Sequence, residues 1–168
     1  MIRRISLPLL LLSSFSFAAF GQSTATATGT TASAHVLRPI AITRLSNLDF
    51  GSLIAGLAAG TVTVDPAGVR TAAGGTTLVN SPFSAAAFNV SGEPNSTYTI
   101  TLPNSISITH TTNNAYSMVV NTFTSNPSGT GLLPPAGAQQ LNVGATLQVG
   151  ANQFAGAYSG TFDVTVAY

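Results

Sequence analysis

After its first twenty or so residues the chain alternates. Apolar side chains recur at every second position in short runs, and Gly, Pro, Asn and Asp separate the runs. This is the pattern of strands that bury one face. The clearest run is the last. Tyr158, Phe162, Val164, Val166 and Tyr168 share a face, with Gly160 in the same phase, and Ser159, Thr161, Asp163, Thr165 and Ala167 oppose them. One side suits a core and the other suits water. Thr97 to Leu102 alternates as cleanly, with Tyr98, Ile100 and Leu102 against three threonines. Thr61 to Thr71 reads as a hairpin, because Asp65-Pro66-Ala67-Gly68 carries Asp, Pro and Gly where a type I turn wants them.

Further strands are expected at Pro39 to Leu45, at Leu48 to Ile54, at Thr76 to Val79 and at Phe83 to Val90. Others follow around Ile106 and Ile108, at Met118 to Phe123 and at Gln139 to Val149. Gly74-Gly75 is expected to break the chain, Ser91 to Asn95 to turn it, and Thr111 to Ala115 to form a loop. Asn126 to Gly137, rich in Pro and Gly, is expected as the longest loop. No helical pattern follows the first segment, and no repeat or linker is visible. About ten short strands with regular turn signals predict an all-β, antiparallel sandwich or barrel in one domain.

The N-terminus follows different rules. Arg3 and Arg4 precede an apolar run from Ile5 to Phe20, and Ala19-Phe20-Gly21 sets small residues where a signal peptidase reads them. This is the three-part layout of a secretory signal, too short for a bilayer span of about 20 apolar residues. Residues 1–21 are therefore expected to be a cleaved signal peptide, leaving 147 of the 168 residues. Export to the periplasm, and from there to the cell surface or the medium, is the implied location.

Loss of the signal changes the charge. Arg38, Arg44 and Arg70 then stand against Asp49, Asp65, Glu93 and Asp163, a net −1, and the chain has no lysine. Three scattered arginines cannot neutralise a phosphate backbone or form a polybasic membrane patch. Charged residues make up only 5% of the chain, where about 25% is usual. A surface of threonine, serine and amides has little repulsion to hold copies apart, which suits self-packing. With no cysteine, disulfides, thiolate metal sites and thiol catalysis are excluded.

Catalytic, cofactor and metal sites are not expected. His35 and His110, the only histidines, lack a carboxylate or second histidine at ligand spacing and read as exposed structural residues. No Gly-x-Ser-x-Gly elbow or phosphate-cradling glycine motif occurs. Asp65 and Glu93 are explained by turns, Asp163 by the solvent-facing phase of the last run, and Asp49 by a local bond to backbone. Tyr98, Tyr158 and Tyr168 lie in core phase. Packing is the expected role of the tyrosines, and Tyr116, in or beside a polar loop, is the one worth testing for ligand contact.

The segments Arg38 to Gly56, Thr61 to Thr71, Val90 to Pro103, Phe123 to Gly131 and Leu141 to Tyr168 occur in an order that resembles domain of unknown function 4402. Leu48-Asp49-Phe50-Gly51 and the run Gly150-Ala151-Asn152-Gln153 to Phe162 are its most specific pieces. That family comprises short secreted bacterial β proteins without an established activity. A wider similarity is to chaperone–usher pilins and the spore-coat-protein-U-like group, which implies an immunoglobulin-like, pilin-like sandwich completed by a neighbour's strand.

On that likeness, Tyr158, Gly160, Phe162, Val164, Val166 and Tyr168 form the strand first held by a periplasmic chaperone on the way to an outer-membrane usher. The Thr/Ala-rich extension 22–37, with Ala32, Ala34 and Val36 on one face, would be donated to the next copy. The chain departs from the pilin pattern in having no disulfide and in carrying small residues where large apolar plugs are expected. The implied function is a non-catalytic surface-assembly subunit. The alternative is a monomeric secreted adhesin that recognises carbohydrate or a host surface through loops such as Asn126 to Gly137.

Overall fold

The alternating runs fold as eleven strands among the described residues, 24–168, of a computed structural model. They are β1 (Ala41–Ser46), β2 (Leu53–Val64), β3 (Arg70–Leu78), β4 (Ala86–Ser91), β5 (Thr97–Thr101) and β6 (Ser105–His110). They continue with β7 (Ser117–Asn126), β8 (Thr130–Leu132), β9 (Ala138–Val149), β10 (Tyr158–Ser159) and β11 (Thr165–Ala167). Every pairing is antiparallel, and the described chain is an all-β sandwich. The expected signal peptide lies outside the described residues. Residues 24–39 are exposed and belong to no strand.

Strand β9 organises the larger sheet. Its odd-numbered residues from Leu141 to Val149 are all buried, one continuous apolar face. Residues 138–143 pair with β4 and residues 145–149 with β2, along the same edge, while β7 takes the other edge. The edge passes from β4 to β2 at Gly144. A Cβ there would run into the Val64 carbonyl oxygen and lie 2.6 Å from the carbonyl carbon of Asp65. The absent side chain lets the β2–β3 turn sit against β9. The full order is β1-β4-β9-β7-β6-β10, with the β2–β3 hairpin joined to β9, and the smaller sheet is β11-β5-β8.

Two apolar clusters fill the interior. One gathers Tyr98, Leu133, Leu141, Val90, Val143 and Ala86, with Ile100, Phe162, Val164 and Val166 packed against it. The other gathers Val62, Met118, Val120, Ala145, Leu147 and Val149. Leu48 and Phe123 touch both. Each fully buried Leu or Val contributes about 1.5–3 kcal/mol through burial.

Several expectations need correction. Leu48 to Ile54 is not a strand throughout. Asp49 makes an isolated bridge to Ser84, its Oδ1 accepts the Gly51 N–H at 2.8 Å, and Gly51 turns the chain at φ 68°, so β2 begins only at Leu53. Gly74-Gly75 does not break the chain. Both lie inside β3, where the β2 register shifts between Ala55 and Gly60 and the strands approach so closely that a Cβ on Gly75 would meet the Ala58 backbone. The segment Asn126 to Gly137 holds β8, paired with β5. The last run divides: β10 pairs with β6 in the larger sheet and β11 with β5 in the smaller. His110 is buried rather than exposed, and Tyr168 is half exposed rather than in the core.

Candidate functional site

The inner face of the larger sheet is incompletely covered. A groove of about 1300 Å³ has a floor of Phe88, Ile106, Ile108, Met118, Val120 and Leu147 from β4, β6, β7 and β9. One wall is the 44–55 segment and the other is the 153–162 segment. The smaller sheet ends at β11 on one side and at β8 on the other, and residues 160–162, which lead toward β11, line the groove. Residues 160–164, which lead into β11, belong to no strand. An apolar floor beside a main chain without a ladder partner is what an added extended segment would use.

Arg70 braces the first wall. Its Nη1 donates to the Phe50 carbonyl at 3.0 Å and its Nη2 to the Val79 carbonyl at 2.7 Å. The guanidinium also lies 4.5 Å over the Phe83 ring. Nη1 fills the space a Cβ on Gly51 would need. The Ser52 N–H donates to Ser81 Oγ at 2.7 Å. The planar fork thus bridges two carbonyls, and the Val79 carbonyl also accepts from Ser81 Oγ at 3.3 Å. Residues 40–168 match the family described as Domain of unknown function (DUF4402). The chain belongs to that family. No curated protein and no solved structure gives a match.

The two pieces that marked the resemblance in the sequence lie on the two walls of the groove. Leu48-Asp49-Phe50-Gly51 forms one, and Gln153 to Phe162 forms much of the other. Of the residues singled out from the sequence, Tyr158, Gly160 and Phe162 line the groove, while Val164 and Val166 pack on the cluster around Tyr98. Ala32, Ala34 and Val36 are exposed and unpaired in any sheet. The Tyr168 hydroxyl bonds Arg38 and Glu93. Among the described residues no three of His, Asp and Glu come together.

A second constellation was only partly legible. His110 ends β6 beneath an aromatic cluster, edge-on to Tyr158 at 5.1 Å and to Phe154 at 5.3 Å between ring centroids. Its Nδ1 accepts the N–H groups of Thr112 at 3.2 Å and Asn113 at 3.1 Å, which places the ring proton on Nε2, directed at the Ala155 carbonyl at 3.2 Å. A Cβ on Gly156 would collide with that nitrogen. Tyr116 and Phe154 stack with centroids 4.2 Å apart and planes 1° from parallel. The Tyr158 hydroxyl accepts from Gln153 at 2.8 Å and donates to the Phe154 carbonyl at 2.7 Å. Tyr116 stood out in the sequence because it borders a polar loop; its partner Phe154, 38 positions later, carried no periodic signal to mark it.

Proposed function

We propose that this chain is an exported, non-catalytic structural subunit that assembles at the bacterial cell surface by strand complementation. The groove of one copy accepts the 22–37 extension of the next. The observation that carries the reading is the apolar floor left open between the Leu48–Gly51 wall and the unpaired 160–164 segment. Two further features support it. Residues 24–37 are exposed, unpaired and free of proline and of Asp, Glu, Lys and Arg, so they can extend along a groove. The exported chain's net charge near zero leaves little repulsion between copies.

Ala32, Ala34 and Val36 bury little area, so the affinity of a single extension rests mainly on main-chain bonds. Assembly of this kind needs a high local concentration, as at a membrane. A periplasmic chaperone would cover the same groove during transit, pairing with Tyr158 to Tyr168, and an outer-membrane usher would order the exchange.

The test compares residues 22–168 with residues 38–168 by size-exclusion chromatography and electron microscopy. Laddered oligomers or fibres are expected from the longer form and monomers from the shorter. A synthetic 22–37 peptide should bind the shorter form. Fibres that survive the deletion, or a longer form that stays monomeric when concentrated, would remove the reading.

A further inference from the structure

Phe154 is 46% exposed and Tyr116 37%, yet neither ring is loosely held. The His110 N–H donates to the Tyr116 carbonyl at 3.0 Å, Tyr116 donates to Asn113 at 3.1 Å, and Thr111 donates to the Ala157 carbonyl at 2.9 Å. Tyr158 fixes the Phe154 carbonyl from beneath. Covering a phenyl ring is worth about 1.5–3 kcal/mol to folding, so an exposed pair pinned by this many bonds is not what stability alone selects. Rigid aromatic groups with satisfied supports are how binding surfaces avoid an ordering cost.

The surroundings define the ligand chemistry. The loops 111–117 and 150–160 contain no Asp, Glu, Lys or Arg. Thr111, Asn113, Asn114 and Asn152 are exposed in the same two loops, carrying hydroxyl and amide donors and acceptors. A phosphate or a carboxylate would find no countercharge here. Two rings are also far smaller than the roughly 800 Å² per partner of a stable protein interface. Because the two rings cover each other's facing sides, an outer ring face and the ring edges are what they offer. Such an apolar surface between loops of neutral hydrogen-bonding groups fits a ring that has C–H bonds on its faces and hydroxyls on its edge.

We infer that the Tyr116–Phe154 stack is a binding platform for neutral pyranose glycans. The inference does not rest on strand complementation: Tyr116 lies outside the groove lining, although Phe154 belongs to the 153–162 wall.

Purified residues 22–168 should be retarded in native gels containing at least one of mannan, dextran and laminarin, and should give signals on an array of neutral glycans. Tyr116→Phe, which keeps the ring, should bind within about twofold of the parent. Tyr116→Leu, which keeps apolar area and loses the aromatic face, should weaken binding at least about tenfold, with an unchanged thermal midpoint showing that the loop still folds. Phe154→Leu should do the same. No retardation and no array signal from the parent chain would overturn the inference, as would full binding by both leucine variants. A leucine variant that changes the sedimentation of the chain but not its glycan binding would reassign the stack to contact between copies, and so would also overturn it.

Discussion

The Tyr168 hydroxyl donates a 3.0 Å hydrogen bond to the carbonyl of Arg38, 130 residues earlier in the chain. The same oxygen accepts the Glu93 N–H at 2.5 Å, and the Glu93 carboxylate accepts the Arg38 N–H at 3.0 Å. Three segments are thereby joined at one end of the sandwich: the entry to β1, the turn between β4 and β5, and the last residue after β11. Tyr168→Phe keeps the ring and deletes both hydroxyl bonds. Because the site is half exposed, water partly replaces them, and a loss of about 1 kcal/mol is expected. Glu93→Ala should cost a similar amount, and the double variant less than the sum, since both act on Arg38. Urea midpoints of the four proteins check this.

Among the described residues Arg70 is the only arginine whose side chain bonds two carbonyls. Arg70→Lys keeps the charge, but one ammonium group on a flexible stem cannot reproduce a planar fork between Phe50 and Val79. A loss of about 1–3 kcal/mol is expected, the cost of an unpaired, partly buried acceptor. Gly51→Ala should cost at least as much, because the new methyl group occupies the Nη1 position at a residue with φ 68°. Thermal unfolding of the two variants measures both effects. If strand complementation operates, both should also weaken oligomer formation, because the Leu48–Gly51 wall moves.

These two clamps show where sequence reading succeeds and where it stops. The alternation of Tyr98 with Ile100, and of Leu141 with Val143, depends only on which face is wet, so class and most strands were legible. The turn at Asp65 was legible because a carboxylate, a ring and a missing side chain do local work there: Asp65 Oδ1 accepts the Val69 N–H at 2.8 Å. Gly74-Gly75 looked like a break, because the reason for two glycines is the close approach of Ala59 to Gly74 and of Ala58 to Gly75, 15 and 17 positions earlier. The last run kept its alternation while changing sheets between Ser159 and Thr165, since facing is set by residue parity but pairing is set by partners elsewhere. The groove walls were legible as family motifs, though not as walls. His110 was misjudged because its burial comes from Phe154 and Tyr158, which no local pattern connects to it.

Tyr98 predicts the alkaline limit of stability. The side chain is buried, and its hydroxyl donates to Gln139 Oε1 at 2.8 Å. Desolvation raises its pKa above the ordinary 10.0. In the unfolded chain the phenol ionises near about 10, whereas in the fold it stays neutral to higher pH. Its contribution is therefore fully present below about pH 10 and is lost as pH rises toward and through the folded value. Urea midpoints should fall with increasing steepness above about pH 10. Tyr98→Phe should flatten that limb, at a cost of about 1 kcal/mol near neutral pH from the lost bond and the unpaired Gln139. An alkaline limb of equal slope in both proteins would assign the loss to other groups.

Gly144 and Gly68 separate two reasons for glycine, and the same substitution distinguishes them. Gly68 closes the β2–β3 turn at φ 81° with nothing within 4 Å of a built Cβ. Gly68→Ala therefore costs only the left-handed backbone conformation, about 1 kcal/mol. At Gly144 the Cβ would strike the Val64 carbonyl oxygen and the Asp65 backbone, and main chain cannot rotate away as a side chain can. To admit the methyl, the β2–β3 turn must lift off β9, which strains the adjacent Val64–Ala145 pairing and loosens Val62 over the second apolar cluster. Overpacking of this kind costs about 1–3 kcal/mol even where side chains can yield, so Gly144→Ala is expected at or beyond the top of that range. Amide hydrogen exchange gives the sharper test. Protection should fall at residues 60–64 and 145–149 in Gly144→Ala and stay unchanged there in Gly68→Ala. Equal effects of the two substitutions on those amides would mean that the passage of the β9 edge from β4 to β2 does not depend on the missing side chain.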